Sequence, residues 1–112
     1  MKIYHNPRCT KSRQGLSLLE ELNQKFEVIE YLKKPSSFDE LASIIKLLNI
    51  APIELVRKNE QIWKDTFKEK TLTDTEIIQA MVDFPKLIER PIVVNNNKAV
   101  IGRPTELIKS IL

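Results

Sequence analysis

Cysteine is almost absent from this sequence: Cys9 is the only one, and His5 is the only histidine. One cysteine cannot form a disulfide within the chain, and it cannot supply a zinc site built on a cluster of cysteines. A single unpaired cysteine is most simply explained in a reducing compartment, so we expect a cytoplasmic protein. Glycine is also scarce, with 2 residues, which together with 6 prolines excludes collagen-like and low-complexity sequences.

Long apolar segments are missing as well, since no uninterrupted apolar run exceeds three residues. We therefore predict neither a membrane span nor a signal peptide. Charges of both signs are interspersed along the chain and sum to only +3, a balance that does not call for nucleic acid. The length of 112 residues, 42% of them hydrophobic, predicts a single domain over residues 1–112 with one core.

The first third of the chain predicts a strand, a helix and a second strand. Residues 2–4 form a short β-type run that ends at Asn6-Pro7, a turn signal. Apolar residues at near-helical spacing predict a helix over residues 10–22, with Thr10 or Ser12 as its cap. Residues 26–31 are rich in β-branched and aromatic side chains, as strands are. Together these segments predict a parallel, right-handed βαβ unit.

The remainder predicts a helical middle followed by a β-hairpin and a last helix. Ser37 and Glu40 form a capping-box pattern before one amphipathic helix, and Thr73 to Glu76 opens another. Residues 91–94 and 98–101 flank a turn-forming run of asparagines, and Pro104 begins the last helix. The order predicts an α/β, thioredoxin-like fold with a mixed four-stranded sheet and a helical insertion over about residues 37–85.

Cys9 lies at the predicted junction between the first strand and the first helix. Backbone N–H groups and the positive end of the helix dipole favour a thiolate there, and Arg8, Lys11 and Arg13 add positive charge. The alternative is that Cys9 is a buried small hydrophobic residue, although the polar sequence around it argues against burial. Position 12 is Ser, so a C-x-x-S pattern replaces a second thiol, and any redox cycle needs a thiol from another molecule.

The residues around Cys9 resemble the signature of a known family. The run from His5 to Arg13 resembles the H-N-P-x-C-x-x-S-R signature of glutaredoxin-dependent arsenate reductases. Three later segments agree with that family in order along the chain: R-K-N at Arg57, R-P-I-V-V at Arg90, and R-P at Arg103. The fold of that family is thioredoxin-like, as the order of predicted elements also suggests.

The resemblance implies a role for each matched residue. Cys9 is the implied nucleophile that attacks arsenate, and the implied oxyanion cluster consists of Arg57, Arg90 and Arg103. Guanidinium groups suit this task because they match tetrahedral oxyanions in geometry and charge. The resemblance also places His5, which lowers the thiol pKa, and Ser12 in the catalytic set, and it implies a cis-proline element at Arg90-Pro91.

Each implied role has a simpler alternative. Arginines are mostly solvated surface residues that cover apolar neighbours. His5 is equally well explained as a turn residue, and Ser12 as no more than the cap of the helix.

The resemblance further implies a cycle driven by external thiols. Cys9 attacks arsenate, glutathione acts as the second thiol, and glutaredoxin resolves the resulting mixed disulfide. Glutathione is then a co-substrate, and no bound flavin, nicotinamide or metal is implied. The expected partners are arsenate or a similar oxyanion, glutathione and glutaredoxin, with no nucleic acid and no membrane.

Three alternatives stay open at this point. The first is another oxyanion, or a glutathione mixed disulfide, as the natural substrate. The second is a regulator that resembles the Spx-type proteins, which bind RNA polymerase, share the fold and typically carry a C-x-x-C switch. The third is a protein that retains the fold without catalysis, in which the Cys9 thiol pKa is ordinary.

Overall fold

A computed structural model describes all 112 residues, and the chain forms two compact units. The first unit combines Met1–Lys34 with Arg90–Leu112, and the second is Pro35–Glu89. The second unit is therefore an insertion in the sequence of the first. The expectation of a single domain with an insertion over about residues 37–85 stays a prediction.

The first unit contains the sheet and one α-helix. Its elements are β1 (Lys2–Tyr4), α1 (Thr10–Glu21), β2 (Glu27–Ile29), β3 (Ile92–Asn95), β4 (Lys98–Ile101) and a final 3-10 segment (Thr105–Ile111). The strand order is β2-β1-β3-β4, in which β1 pairs with β2 in parallel and with β3 antiparallel, and β3 pairs antiparallel with β4. The predicted βαβ unit, the hairpin and the α/β, thioredoxin-like class with a mixed four-stranded sheet are confirmed.

One apolar cluster holds the first unit together. Ile3 of β1, Leu19 of α1 and Val93 of β3 are fully buried, and Ile108 and Ile111 of the final segment join them. Successive side chains of a strand point to opposite faces of the sheet, so the short strands β1 and β3 each contribute one residue to this cluster. Helix α1 contributes residues of its apolar face. Burial of each such side chain contributes roughly 1.5–3 kcal/mol.

The second unit is helical. Its elements are a 3-10 turn (Pro52–Leu55), a π-helical turn (Trp63–Phe67), a second 3-10 turn (Pro85–Leu87) and the two α-helices α2 (Phe38–Leu48) and α3 (Asp74–Asp83). Ser37 caps α2, because its Oγ accepts from the Glu40 N–H at 3.1 Å. Thr73 and Glu76 form a full capping box at α3. Both predicted helix starts are confirmed.

Two predicted elements differ in extent or type. The strand predicted over residues 26–31 covers only Glu27–Ile29, because the Glu30 carbonyl accepts from the N–H groups of Lys33 and Lys34 and so begins a turn. The last helix is of the tighter 3-10 type, as in the bond from Leu107 N–H to Pro104 O. None of the helices combines the length and apolar character needed to cross a bilayer.

Candidate active site

Sheet topology brings three separate parts of the first unit to one end of the sheet. Tyr4 at the end of β1 pairs with Ile92 at the start of β3, and Ile92 also pairs with Ile101 at the end of β4. The loop that leads from β1 to Cys9 therefore begins where Arg90 precedes β3 and Arg103 follows β4. The two antiparallel pairings explain how residues far apart in sequence reach one place.

Cys9 occupies the N-cap position of α1. No side-chain oxygen caps the helix there, and the Lys11 and Ser12 amides of its first turn serve the Cys9 sulfur instead. The expectation that Thr10 or Ser12 caps this helix is wrong. Cys9 is also only 9% exposed, so the polar sequence around it does not keep it on the surface.

The charges of α1 are reversed relative to those of the other two helices. The first turns of α2 and α3 contain acidic residues, which the helix dipole favours. The first turn of α1 contains none, while Lys11 and Arg13 follow Cys9 closely. This arrangement is unfavourable for the helix by itself and favourable for a thiolate at its N-terminus.

Two arginines converge on the Cys9 sulfur. Arg103 Nη2 donates to Sγ at 3.4 Å, and the Arg90 side chain also forms a hydrogen bond with the thiol. Arg103 Nε in turn donates to the Arg90 carbonyl at 2.7 Å. The Arg90-Pro91 and Arg103-Pro104 peptide bonds are both cis, in agreement with the cis-proline element expected at Pro91.

The net effect on the thiol is a lowered pKa. Burial by itself raises the pKa of Cys9, but the hydrogen bond from Arg90, the Ser12 amide, the charge of Arg90 and the Lys11 amide together lower it further than burial raises it. The thiolate is the nucleophilic form of cysteine. The lowered pKa raises the fraction of Cys9 present as thiolate and so favours nucleophilic attack.

His5, Asn6 and Ser12 form a buried hydrogen-bond network behind Cys9. His5 Nδ1 lies 2.7 Å from Ser12 Oγ, and the Asn6 N–H donates to the same oxygen at 3.0 Å. The Asn6 carbonyl accepts from the Cys9 N–H at 3.0 Å. Ser12 is fully buried, so its hydroxyl fixes the loop before Cys9.

The His5 imidazole is held toward its neutral form. Burial lowers the pKa of His5, the nearby Glu30 carboxylate and an interaction with the Ser12 backbone raise it, and Arg13 lowers it, with a net decrease. A neutral imidazole with Nδ1 facing the Ser12 hydroxyl organises the loop. Its role as a modulator of the Cys9 pKa stays a prediction.

Arg57 belongs to the second unit. Its guanidinium donates to Glu60 at 3.0 Å and lies 3.7 Å from a Glu89 carboxylate oxygen. The Val56 and Ile88 bridge brings its segment beside the segment that ends at Glu89. Its place in the oxyanion cluster stays a prediction.

Sequence reasoning missed the contribution of Asn6. Its side chain accepts from the Arg8 N–H at 3.0 Å, while its main chain bonds both Ser12 and Cys9. From sequence, Asn6 before Pro7 predicts only a turn. The tendency of Asn side chains to bond the backbone two residues on is the signal that could have found it.

The chain is similar to a known family over nearly its whole length. The model of the ArsC family matches residues 4–111. The protein named YfgD of Escherichia coli is 46% identical, an alignment that covers 100% of this chain and 96% of that protein. An arsenate reductase of Neisseria meningitidis is 41% identical, with 100% of this chain and 97% of that protein covered.

A solved structure is similar in backbone as well as in sequence. The arsenate reductase from Vibrio cholerae superimposes with a TM-score of 0.94 at 40% sequence identity. The match covers 100% of this chain and 98% of that one.

Proposed function

This chain belongs to the ArsC family, and on that premise we propose that it reduces arsenate to arsenite with electrons from glutathione and glutaredoxin. The observation that carries the proposal is the convergence of Arg90 and Arg103 on the Cys9 sulfur. Relatives named arsenate reductases, at 41% and 40% identity, support the choice of substrate.

The first step is attack of the Cys9 thiolate on As(V). A bond forms between Sγ and arsenic, and one arsenate oxygen leaves as water after protonation. Arg90 and Arg103 neutralise the charge of the oxyanion, and the Lys11 and Ser12 amides hold the thiolate before attack. The same positive field thus serves both the nucleophile and the substrate.

The second step transfers two electrons to arsenic. The thiol of glutathione attacks Sγ, the bond between sulfur and arsenic breaks, and its electron pair stays on arsenic as As(III). Arsenite leaves, and Cys9 remains in a mixed disulfide with glutathione. The sum is one arsenate and two thiols giving one arsenite, one disulfide and one water.

The third step regenerates the thiol. Cys9 is the only cysteine, so no thiol of this chain can displace glutathione. A thiolate of glutaredoxin attacks the glutathione sulfur and releases Cys9 by exchange. Glutathione is thus a co-substrate, and the cycle needs no bound cofactor or metal.

Arg57 is proposed as the third oxyanion-binding residue, on the strength of its matched R-K-N segment. Its contacts with Glu60 and Glu89 hold the guanidinium in a defined orientation within the second unit. A bidentate guanidinium binds arsenate more selectively than an ammonium does. Replacement by Lys is therefore expected to raise the KM for arsenate more than it changes kcat.

The test is arsenate reduction with glutathione, glutaredoxin and a coupled reductase that reports disulfide formation. We expect no turnover from Cys9→Ser and a loss of roughly 100-fold from Arg90→Ala. Lys25→Ala, which removes an exposed cation of the same unit, is expected to behave as wild type. Without glutaredoxin, mass spectrometry is expected to find Cys9 joined to glutathione.

Two outcomes would contradict the proposal. Folded wild-type protein with a reactive thiol but no arsenate turnover would exclude arsenate as the substrate. Turnover with glutaredoxin but without glutathione would exclude the proposed second step. Binding to RNA polymerase without thiol-dependent turnover would favour the regulator instead.

A further inference from the structure

The two glycines of the chain are buried in the first unit and contact the same two side chains. Neither Gly15 nor Gly102 has a positive φ, so backbone conformation does not require glycine at either position. Gly15 lies inside α1, where glycine weakens a helix relative to alanine. The space around the two residues must therefore be the reason for glycine.

That space is filled by Pro91 and Ile108. A Cβ atom on Gly15 would lie 3.0 Å from Pro91 Cγ and 3.2 Å from Ile108 Cδ1. A Cβ atom on Gly102 would lie 3.0 Å from Ile108 Cδ1 and 3.1 Å from Pro91 Cγ. These separations are below the roughly 3.5–4.0 Å at which carbon atoms pack best. The Pro91 and Ile108 side chains therefore pack closely against the backbones of Gly15 and Gly102.

This packing lies next to every group that converges on the thiol. Pro91 follows Arg90 in the chain, and its carbonyl accepts from the Gly102 N–H at 2.9 Å. Gly102 precedes Arg103, and Gly15 is on the helix that Cys9 begins. Pro91 and the two glycines therefore belong to the segments that carry Arg90, Arg103 and Cys9.

We propose that Gly15 and Gly102 are positioning residues of the site, whose missing side chains allow Pro91 to approach α1 closely enough for Arg90 and Arg103 to reach Cys9. A methyl group at either position displaces Pro91 or Ile108 by a few tenths of an ångström. The bond from Arg103 Nη2 to Sγ, 3.4 Å long, then lengthens and weakens. The inference rests on the proposed role of Cys9 as the nucleophile.

The test is the pH profile of Cys9 alkylation by iodoacetamide in Gly15→Ala and Gly102→Ala, without any substrate. We expect the midpoint to move to higher pH in both variants. For a movement of about one pH unit, the rate below the midpoint falls about threefold, because greater nucleophilicity offsets part of the tenfold loss of thiolate. The KM for arsenate is expected to rise in parallel.

Ile108→Val supplies a partial rescue, because it removes the Cδ1 atom that meets both added methyl groups and leaves the Pro91 Cγ contact in place. We expect it to return the alkylation midpoint toward the wild-type value in either alanine background. Ser17→Ala is the matched control for helix propensity, since Ser17 is an exposed residue of the same helix. It is expected to leave the midpoint unchanged.

The outcomes separate this inference from the proposed function. Folded glycine variants with the wild-type midpoint would overturn it, and so would a complete return of the midpoint in Ile108→Val, because that would assign the shift to Ile108 rather than to Pro91. If Gly15→Ala does not fold, Gly102→Ala with and without Ile108→Val decides the question. If the alkylation midpoints of the wild type and the glycine variants differ as expected but the wild type reduces no arsenate, the proposed substrate is refuted and the positioning role is supported.

Discussion

The Arg103 side chain forms hydrogen bonds with both Arg90 and Cys9. Arg103 Nε donates to the main-chain carbonyl of Arg90 at 2.7 Å, and Arg103 Nη2 donates to the Cys9 sulfur. One planar guanidinium therefore joins the segment before β3 to the nucleophile. The position of the Arg103 guanidinium is thus tied by a hydrogen bond to the backbone of Arg90.

Arg103→Lys keeps the positive charge but removes the planar guanidinium, whose Nε and Nη2 form two directed hydrogen bonds. A lysine ammonium cannot reproduce the two directed bonds of this guanidinium, so we expect a higher thiol pKa and a KM for arsenate raised about tenfold or more. Alkylation kinetics and steady-state assays measure the two effects. Lys25→Arg, a charge-preserving change at an exposed site, serves as the control; equal kinetics in both variants would contradict the dual role of Arg103.

Ser12→Ala is expected to destabilise the protein by about 1–3 kcal/mol, because it leaves the Asn6 N–H and His5 Nδ1 without their shared buried partner. Chemical denaturation followed by circular dichroism measures the change. Ser17→Ala in the same helix is exposed and is expected to lie within about 0.5 kcal/mol of wild type. A similar small effect at Ser12 would show that its hydroxyl network does not fix the loop.

The lowered pKa of His5 predicts a loss of stability in weak acid. Because the folded protein holds His5 below its unfolded pKa of about 6.5, the unfolded state binds more protons, and the free energy of unfolding decreases as the pH falls below that value. His5→Gln is expected to remove this part of the pH dependence. His5 is the only histidine, so unchanged pH dependence in His5→Gln would exclude the lowered pKa.

The lowered pKa of Cys9 predicts a trend of the same sign at higher pH, where the free energy of unfolding also increases as the pH rises. The stabilisation is complete above the unfolded thiol pKa of about 8.5 and is lost as the pH falls through the lower folded value. Under a reductant that contains no thiol, the difference in free energy of unfolding between wild type and Cys9→Ala should therefore grow toward alkaline pH. A difference independent of pH would show that the folded thiol is ordinary.

Thr73→Ala tests the capping box of α3. Its Oγ1 accepts from the Glu76 N–H at 3.2 Å, and its own N–H donates to the Glu76 carboxylate at 3.0 Å. Loss of the cap is expected to cost about 1 kcal/mol of stability. Thr71→Ala, two residues earlier in the exposed loop, is the matched control; equal losses in both variants would remove the cap as the cause.

Local patterns predicted most of the secondary structure because its causes are local. The spacing of Leu41, Ile44 and Ile45 is a property of α2 alone, and the asparagine run between β3 and β4 contains the positive φ of Asn96. The early end of β2 escaped prediction. The strand ends where the Glu30 carbonyl accepts hydrogen bonds from Lys33 and Lys34. A run of β-branched and aromatic residues does not indicate which backbone donors a carbonyl will meet.

The site was predictable only through the family resemblance. The contact between Arg103 and Cys9 joins residues 94 positions apart, and no periodicity indicates it. Ser12 looked like a helix cap because capping depends on residue type. Its actual role depends on His5, seven residues earlier, whose imidazole lies beside the hydroxyl once β1 is in the sheet.

The pairing of β1 with β3 also determines when the thiol acquires its special environment. During synthesis Cys9 emerges before Arg90 and Arg103, and β3 can pair with β1 only after its own residues have emerged. A nascent chain therefore carries a cysteine without its cations. The hydrogen bonds and charge that lower the thiol pKa therefore form only after Arg90 and Arg103 have emerged and β3 has paired with β1.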